Sequence, residues 1–443
     1  MKRFIDTLRN IWTIDELKQR ILLTLGMILI YRLGSYVVLP GVNVDALNDA
    51  KSADAGGIVG LINMFAGGAF LRASIFGLGI MPYITASIII QLLGMAVPYF
   101  QKMQREGESG RKKINQYTRF LTIAVTAVQA PGYIASIKQS APNAFTDLST
   151  FWWIQSIFIL ITGTMFVMWL GERITDKGLG NGISLIIMIG IISRLPFAFL
   201  SEVKSRTTGN GGLIIFLIEI VILLLVIVGS ILLVQGTRRI PVQFAKKIVG
   251  NKQYGGVRQY IPLKVNAAGV MPIIFAQAIM FIPSAISGFS GGGAGVFQDR
   301  YGFWYNLIFS VMIILFTYFY TAIMVNPNQL ADDMKRNGGF IPGVKPGKKT
   351  AEFIDQVMSR ITLPGSIFLA AVAIMPAFAQ KMGITSAFAD FYGGTSLLIL
   401  VGVVLDTLQQ IETYLLNRHY DGLMKSGRIK GRGANAMMVQ QGS

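Results

Sequence analysis

The sequence of 443 residues contains no cysteine and a single histidine, His419. The absence of cysteine excludes disulfides and thiolate chemistry, although it does not fix the cellular compartment. Charged residues are also scarce, at 14% of the chain against 52% hydrophobic residues. This composition is too apolar for an ordinary soluble enzyme and indicates a membrane protein.

Apolar segments close to the length that crosses a bilayer recur along the whole chain. We expect the first to be a true span, because no small-residue cleavage site precedes it. An even number of spans places both termini on one side of the membrane. The predicted fold is an all-α integral membrane protein with spans at residues 21–39, 75–97, 118–137, 151–170, 183–201, 213–234, 267–286, 305–325, 361–379 and 394–412.

The spans divide into a first half, residues 1–205, and a second half, residues 206–443. Five spans is an odd number, so the halves have opposite orientations, which permits an inverted repeat around a central path.

Acidic residues are few, 22 against 40 Lys and Arg, which gives a net charge of +18. The predicted topology places 31 of the 40 basic residues on one side of the membrane, together with both termini. The positive-inside rule then makes that side cytoplasmic.

Residues 58–72 form an apolar stretch that is too short to cross a bilayer, and Gly67 and Gly68 weaken it as a helix. We predict a re-entrant segment, which is either an ordinary cap or a movable plug.

The second predicted span changes character along one helical face. Ile80 and Ile84 are followed at helical spacing by Ser87 and Gln91. A face that is both apolar and polar is typical of a surface that meets protein or water rather than lipid alone.

The stretch NMFAGGAFLRASIFGLGIMPYITASIIIQLL resembles the plug and second span of the SecY family of bacterial protein-translocation channels. Three further stretches are similar to the same family: GTMFVMWLGERITDKGLGNGISLII, NPNQLADDMKRNGGFIPGVKPGKKT and GGTSLLILVGVVLDTLQQIETYLL. The resemblance covers nearly the whole chain.

The resemblance implies ten helices in two inverted halves around an hourglass pore that opens like a shell. It implies a pore ring of Ile80, Ile84, Ile183, Ile187, Ile274 and Ile399. The implied plug contains Asn63, Met64, Phe65, Gly67, Gly68 and Arg72. The implied lateral gate lies between the second and seventh spans, with Ser87 and Gln91 on one side and Gln277 on the other. We expect these polar residues to pair with one another when the gate is closed.

Several of these residues have other readings. Periodicity alone favours core packing for the isoleucines, and only the resemblance favours a pore wall. Arg32, in the first span, is either a snorkelling anchor or part of the gating machinery. Glu219 is an intramembrane acid, and we expect a buried hydrogen bond, a partner contact or a neutral carboxyl there rather than transport chemistry.

Residues 235–265 carry seven basic residues and no acid, interleaved with aromatic rings. This segment is either a topology anchor or a docking surface. Turn-forming Pro and Gly residues flank Lys345 in the GVKPG stretch. This lysine is likewise either a topology charge or a docking cation. At this position the SecY family typically has arginine. The docking candidates are Arg238, Arg239, Lys246, Lys247, Lys252, Arg258 and Lys345.

A secondary transporter or membrane enzyme is the main alternative to a polypeptide channel. Transporters usually carry ionisable groups at mid-membrane, and these are sparse here. The glycines of GLGNG and the GVKPGKKT stretch have the wrong spacing for a nucleotide loop. We therefore expect no cofactor, no metal site and no catalysis.

The resemblance implies a channel in the bacterial plasma membrane that translocates unfolded chains and releases apolar segments into the phospholipid bilayer. The partners it implies are SecE, SecG, the SecA motor, the ribosome and the signal-recognition receptor. Its substrates would be signal peptides and nascent chains, and energy would come from outside the channel.

Overall fold

The computed structural model describes residues 14–44, 46–47, 63, 66–145, 149–208, 212–244, 247–249, 252–254, 258–277, 279–280 and 300–425. Helices dominate this part of the chain. They are α1 (Asp15–Gly34), α2 (Met81–Ala96), α3 (Pro98–Arg105), α4 (Glu108–Ser140), α5 (Thr150–Lys177), α6 (Gly182–Ile192), α7 (Leu195–Thr208), α8 (Gly212–Gln235), α9 (Phe303–Met324), α10 (Pro327–Arg336), α11 (Lys348–Lys381), α12 (Ser386–Ala389) and α13 (Gly394–Lys425). A 3₁₀ turn covers Pro142–Ala144, and residues 271–277 are also helical.

Within the described residues, seven helices are long and apolar enough to cross a membrane, or eight if α2 and the bent α3 count as one span. Helix α8 is an example of such a helix. Its sequence consists mostly of Leu, Ile and Val, and side chains such as Leu217, Leu225 and Leu232 are exposed on its outer face. Exposed leucines of this kind are suited to lipid. The protein is therefore a multi-pass membrane protein, and the count of ten spans remains a prediction.

The second predicted span differs from its expected bounds of 75–97. Residues 66–80 form turns, and α2 begins only at Met81, with Pro82 in its first turn. The helix ends before Pro98, where the chain bends by 101° into α3. Proline disfavours helical geometry in the residue before it, which accounts for the break.

The basic segment 235–265 contains strands. They are β1 (Thr237–Phe244), β2 (Lys247–Val249), β3 (Lys252–Tyr254), β4 (Arg258–Lys264) and, later in the chain, β5 (Gly339–Phe340). Strand β1 lies between β4 and β5, antiparallel to both, with Ile240 opposite Ile261. Alternate side chains of β1, Ile240 and Val242, are buried against α10 and α11. The all-α prediction therefore omitted a small sheet.

A large buried cluster joins the two predicted halves. It includes residues of α1, α5, α6 and α7 from the first half and of α12 and α13 from the second, among them Leu170, Ile187, Phe388 and Ile399. The division at residues 205 and 206, and the inverted repeat, remain predictions.

Candidate pore, plug and gate

The six isoleucines assigned to the ring come from both halves. Ile80, at the N-cap of α2, Ile187 on α6 and Ile399 on α13 are at most 5% exposed and share the large cluster. Ile84 and Ile183 pack against the same cluster.

Ile274 lies in a neighbouring cluster with Ile88, Phe275 and Tyr320, and Ile84 packs against this cluster as well. The chain thus brings five of the six isoleucines together, and Ile84 links them to the sixth. Their role as a pore ring stays a prediction.

The described part of the plug segment packs tightly on its surroundings. Asn63 is buried, and its Oδ1 accepts a hydrogen bond from the Leu71 amide at 3.2 Å. The Phe70 carbonyl accepts from the Tyr133 hydroxyl at 2.9 Å, and the two rings meet edge to face. Met64 and Phe65 lie outside the described residues.

Glycine is required at position 67. Its φ of +62° is rarely adopted by L side chains, and a Cβ there would lie 2.7 Å from Arg32 Nη1 and 2.9 Å from Gly190 Cα. Gly68 has a φ of +87°, and the Arg72 guanidinium lies over the Tyr36 ring. Arg32 donates to the Gly67 carbonyl at 3.2 Å, so this arginine contacts the plug segment.

The polar residues assigned to the gate have partners other than those expected. Gln91 Nε2 donates to Ser87 Oγ at 3.4 Å on the same helix, and Gln91 Oε1 accepts from the Tyr320 hydroxyl on α9. Gln277 donates to Thr395 Oγ1 on α13 at 2.9 Å. The expected pairing of Gln277 with the α2 residues is replaced by a contact between α2 and α9.

The docking candidates lie on or beside the sheet. Arg238 and Arg239 are exposed on β1, and Lys345 is exposed in the turn before α11. Lys247, Lys252 and Arg258 belong to β2, β3 and β4, whereas Lys246 lies outside the described residues.

The Lys345 turn is ordered by its own backbone. Gly343 and Gly347 have φ values of +84° and +100°, and the Lys345 carbonyl accepts from Thr350 Oγ1 at 2.9 Å. Val344 packs against the core beneath the sheet. These contacts fix the backbone from which the Lys345 side chain projects.

Glu219 is paired rather than isolated. Its Oε1 accepts from Arg206 Nη2, and Arg206 Nε donates to Glu202 Oε1 at 3.0 Å. The i, i+4 spacing of Glu202 and Arg206 was readable in the sequence, but their contact with Glu219 was not.

A family model described as SecY matches residues 74–408. Two curated proteins named Protein translocase subunit SecY are similar over almost their full lengths. The protein from Mycobacterium bovis is 41% identical over 96% of this chain and 100% of the relative. The protein from Thermotoga maritima is 40% identical over 96% and 99%.

Among solved structures, one titled "The structure of a protein conducting channel" matches with a TM-score of 0.62 and 17% identity, over 89% of this chain and 92% of the other. The canine Sec61 in a ribosome-channel complex from the endoplasmic reticulum matches with a TM-score of 0.58 and 16% identity, over the same shares. These structures agree in fold, and the relatives agree in sequence. The chain belongs to the SecY family, whose members are protein-translocation channel subunits and not enzymes.

Proposed function

We propose that the six isoleucines form the constriction of a pore that passes unfolded polypeptides, and that residues 58–72 are its plug. The observation that carries this proposal is the convergence of Ile80, Ile187 and Ile399 from α2, α6 and α13 in one buried cluster. Helices from both halves therefore contribute isoleucine side chains to the same buried cluster.

Isoleucine suits a seal of this kind. A narrow apolar constriction excludes hydrated ions by dewetting, and branched side chains offer no hydrogen bonds that select one substrate over another. Such a ring closes against ions and still deforms around varied side chains.

The route into lipid lies between α2 on one side and residues 271–277 with α9 on the other. The cluster of Ile88, Phe275, Ala268 and Tyr320 closes this face. Separation of these walls would expose an apolar segment in the pore to the bilayer. Because lipid tails are as apolar as the walls, the hydrophobic effect does little to hold the walls together there.

The basic sheet and the Lys345 turn form the docking surface for an external motor or the ribosome. The exposure of Arg238, Arg239 and Lys345 supports this assignment, and the fold is shared with a channel observed in a ribosome complex. By the positive-inside rule this surface and both termini are cytoplasmic, and the membrane is the bacterial plasma membrane. SecE, SecG, SecA and the signal-recognition receptor are the proposed partners.

Reconstitution tests the proposal. The chain is purified with candidate SecE-like and SecG-like subunits, and the ATPase activity of the cognate SecA is measured with and without it in vesicles. We expect co-purification, stimulated ATPase activity and uptake of an unfolded preprotein. Uptake of a small solute without any of these three results would indicate a transporter instead.

A further inference from the structure

Three charged side chains are buried together within the helices. Glu202 is 0% exposed, Arg206 7% and Glu219 2%. The Arg206 guanidinium donates to both carboxylates, with an Nε to Oε1 distance of 3.0 Å at Glu202. Two carboxylates therefore share one cation.

The same group contacts a distant part of the chain. Arg206 Nη2 donates to the Gly383 carbonyl at 2.7 Å. The Thr385 amide donates to Glu202 Oε2 at 2.8 Å, and the Thr385 hydroxyl donates to the same oxygen. Gly383 and Thr385 lie between α11 and α12, so these bonds connect residues more than 170 positions apart.

The three elements meet at the end of the helices that lies away from the sheet. Helix α8 begins at Gly212, close to Glu219, and ends at Gln235, separated from β1 by one residue.

Helix α7 continues the fifth predicted span and crosses the predicted boundary at residues 205 and 206. Glu202 therefore lies in the first half, whereas Arg206, α8 and the 383–385 turn lie in the second, and Glu202 bonds to both Arg206 and Thr385. The network of Glu202, Arg206 and Glu219 therefore crosses the boundary between the predicted halves, and we call it the charged junction.

Burial of these ions is costly, and stability alone does not explain it. Replacing a buried ion pair by packed apolar side chains is often neutral or stabilising, whereas removing one partner is strongly destabilising. Within the described residues, Glu219 Oε2 is buried without a hydrogen-bond partner, so the network is not fully compensated. What such a network provides is geometry, because a planar guanidinium held by several acceptors permits few relative positions of its neighbours.

The gate face, where α2 meets residues 271–277 and α9, is held together by weaker contacts than the charged junction. There a neutral hydrogen bond from Tyr320 to Gln91 joins the halves. It lies in an apolar cluster whose described members come from elements other than α7 and α8. Neutral hydrogen bonds are about half as strong as charge-assisted ones. When the halves separate, the gate face should part before the charged junction does.

We propose that Arg206 is a positioning residue that fixes the two halves to each other at the charged junction, so that opening is confined to the gate face. It acts through Glu202, Glu219, Gly383 and Thr385 and touches no translocating chain. This inference rests on the proposed function, because it assumes that a gate face opens.

The test compares four variants in the full complex. Arg206→Met leaves two buried carboxylates without their cation and should fail to accumulate. The triple variant Glu202→Met, Arg206→Met, Glu219→Met removes all the buried charge and should insert normally. Arg206→Lys retains the positive charge but lacks the planar guanidinium that bonds to several acceptors at once. The control is Arg119→Met with Glu172→Met, a more exposed ion pair at 2.7 Å between α4 and α5, both in the first half.

The readouts are the inserted amount, the resting ion conductance in planar bilayers, and the rate and apparent KM of preprotein export. In the triple variant we expect near-normal insertion, severalfold higher resting conductance, and a lower maximal export rate with little change in apparent KM, because the docking surface is intact. Arg206→Lys should have a smaller effect on conductance and export than the triple variant, because it retains the positive charge. The control variant should match the wild type.

An inserted triple variant with wild-type conductance and export would show that the network is only structural, and the proposal would be wrong. If the triple variant does not insert, Thr385→Val decides, because it preserves the side-chain shape and removes only the hydroxyl bond across the junction. Raised conductance in Thr385→Val supports the proposal, and wild-type conductance overturns it. A wild-type complex that exports nothing would instead contradict the proposed function itself.

Discussion

The Tyr320 hydroxyl on α9 donates a hydrogen bond to Gln91 Oε1 on α2. The second polar atom of the same amide, Gln91 Nε2, donates to Ser87. A glutamine in an apolar helix is thus satisfied by its own helix and by α9, on the opposite side of the proposed gate. Phe275 packs against Tyr320 with ring centroids 5.6 Å apart and completes this contact.

Tyr320→Phe removes the hydroxyl and preserves the ring. We expect the variant to insert normally and to export proteins with weakened signal sequences more readily. One lost hydrogen bond is worth about 1 kcal/mol, which shifts the balance of closed and open gates about fivefold. Export of a preprotein series with graded signal hydrophobicity measures the change.

The control is Tyr318→Phe, the same substitution two residues away on the same helix. If Tyr320→Phe and Tyr318→Phe show the same signal requirement as the wild type, the Tyr320 bond does not hold the gate.

The spans were largely predictable because long apolar helices in lipid have a strong sequence signal. The start of α2 was not, since residues 73–80 are apolar but almost all of them are buried in protein as turns. Hydropathy alone cannot distinguish burial in protein from burial in lipid.

The strands were not predicted because each of the two long ones contains a proline. Pro241 and Pro262 interrupt both segments, and proline argues against a strand because it cannot donate to the ladder. In the structure Pro241 lies opposite Tyr260 and Pro262 opposite Arg239, so the two long strands accommodate both prolines. The alternation of Ile240 and Val242 was the available signal.

The gate partners could not be read from the sequence at all. Tyr320 and Gln91 are 229 positions apart, and Gln277 and Thr395 are 118 apart. Which polar residues pair across a helix bundle depends on tertiary packing rather than on spacing along one helix.

Substituting the ring should open it to ions. Ile80→Ser together with Ile187→Ser should raise the resting conductance severalfold, and further when residues 58–72 are also deleted, because polar side chains rewet the constriction. Ile186→Ser, next to Ile187 and also buried in the large cluster, serves as the control. A double variant that stays ion-tight without the plug would show that the ring is assigned to the wrong residues.

Deletion of residues 58–72 should leave an assembled channel. It removes the Arg32 contact to Gly67 and the Tyr133 contact to Phe70. We expect partial ion leak and relaxed signal discrimination, measured by conductance and by export of signal-defective preproteins. Loss of the whole protein on deletion would make this segment a structural cap.

Lys345→Glu should strongly impair motor-driven export without affecting insertion, and Lys345→Arg should be tolerated. The ordered turn fixes the backbone that carries this cation, and reversing its charge should repel an acidic docking site. Motor binding and export are measured separately with the cognate SecA. Lys349→Glu, an exposed charge on the first turn of α11, is the control. Wild-type export from Lys345→Glu would leave residues 235–265 as the main docking candidate.

Site-specific crosslinking of an arrested chain tests the pore most directly. Because the protein has no native cysteine, Ile187→Cys gives a single thiol at the proposed constriction, and Leu225→Cys gives one on the exposed face of α8. Each variant is combined with a preprotein that carries one cysteine and is arrested during export. Disulfide formation at Ile187→Cys and not at Leu225→Cys is the predicted result. Crosslinks at Leu225→Cys with none at Ile187→Cys would contradict a polypeptide path through the isoleucine ring.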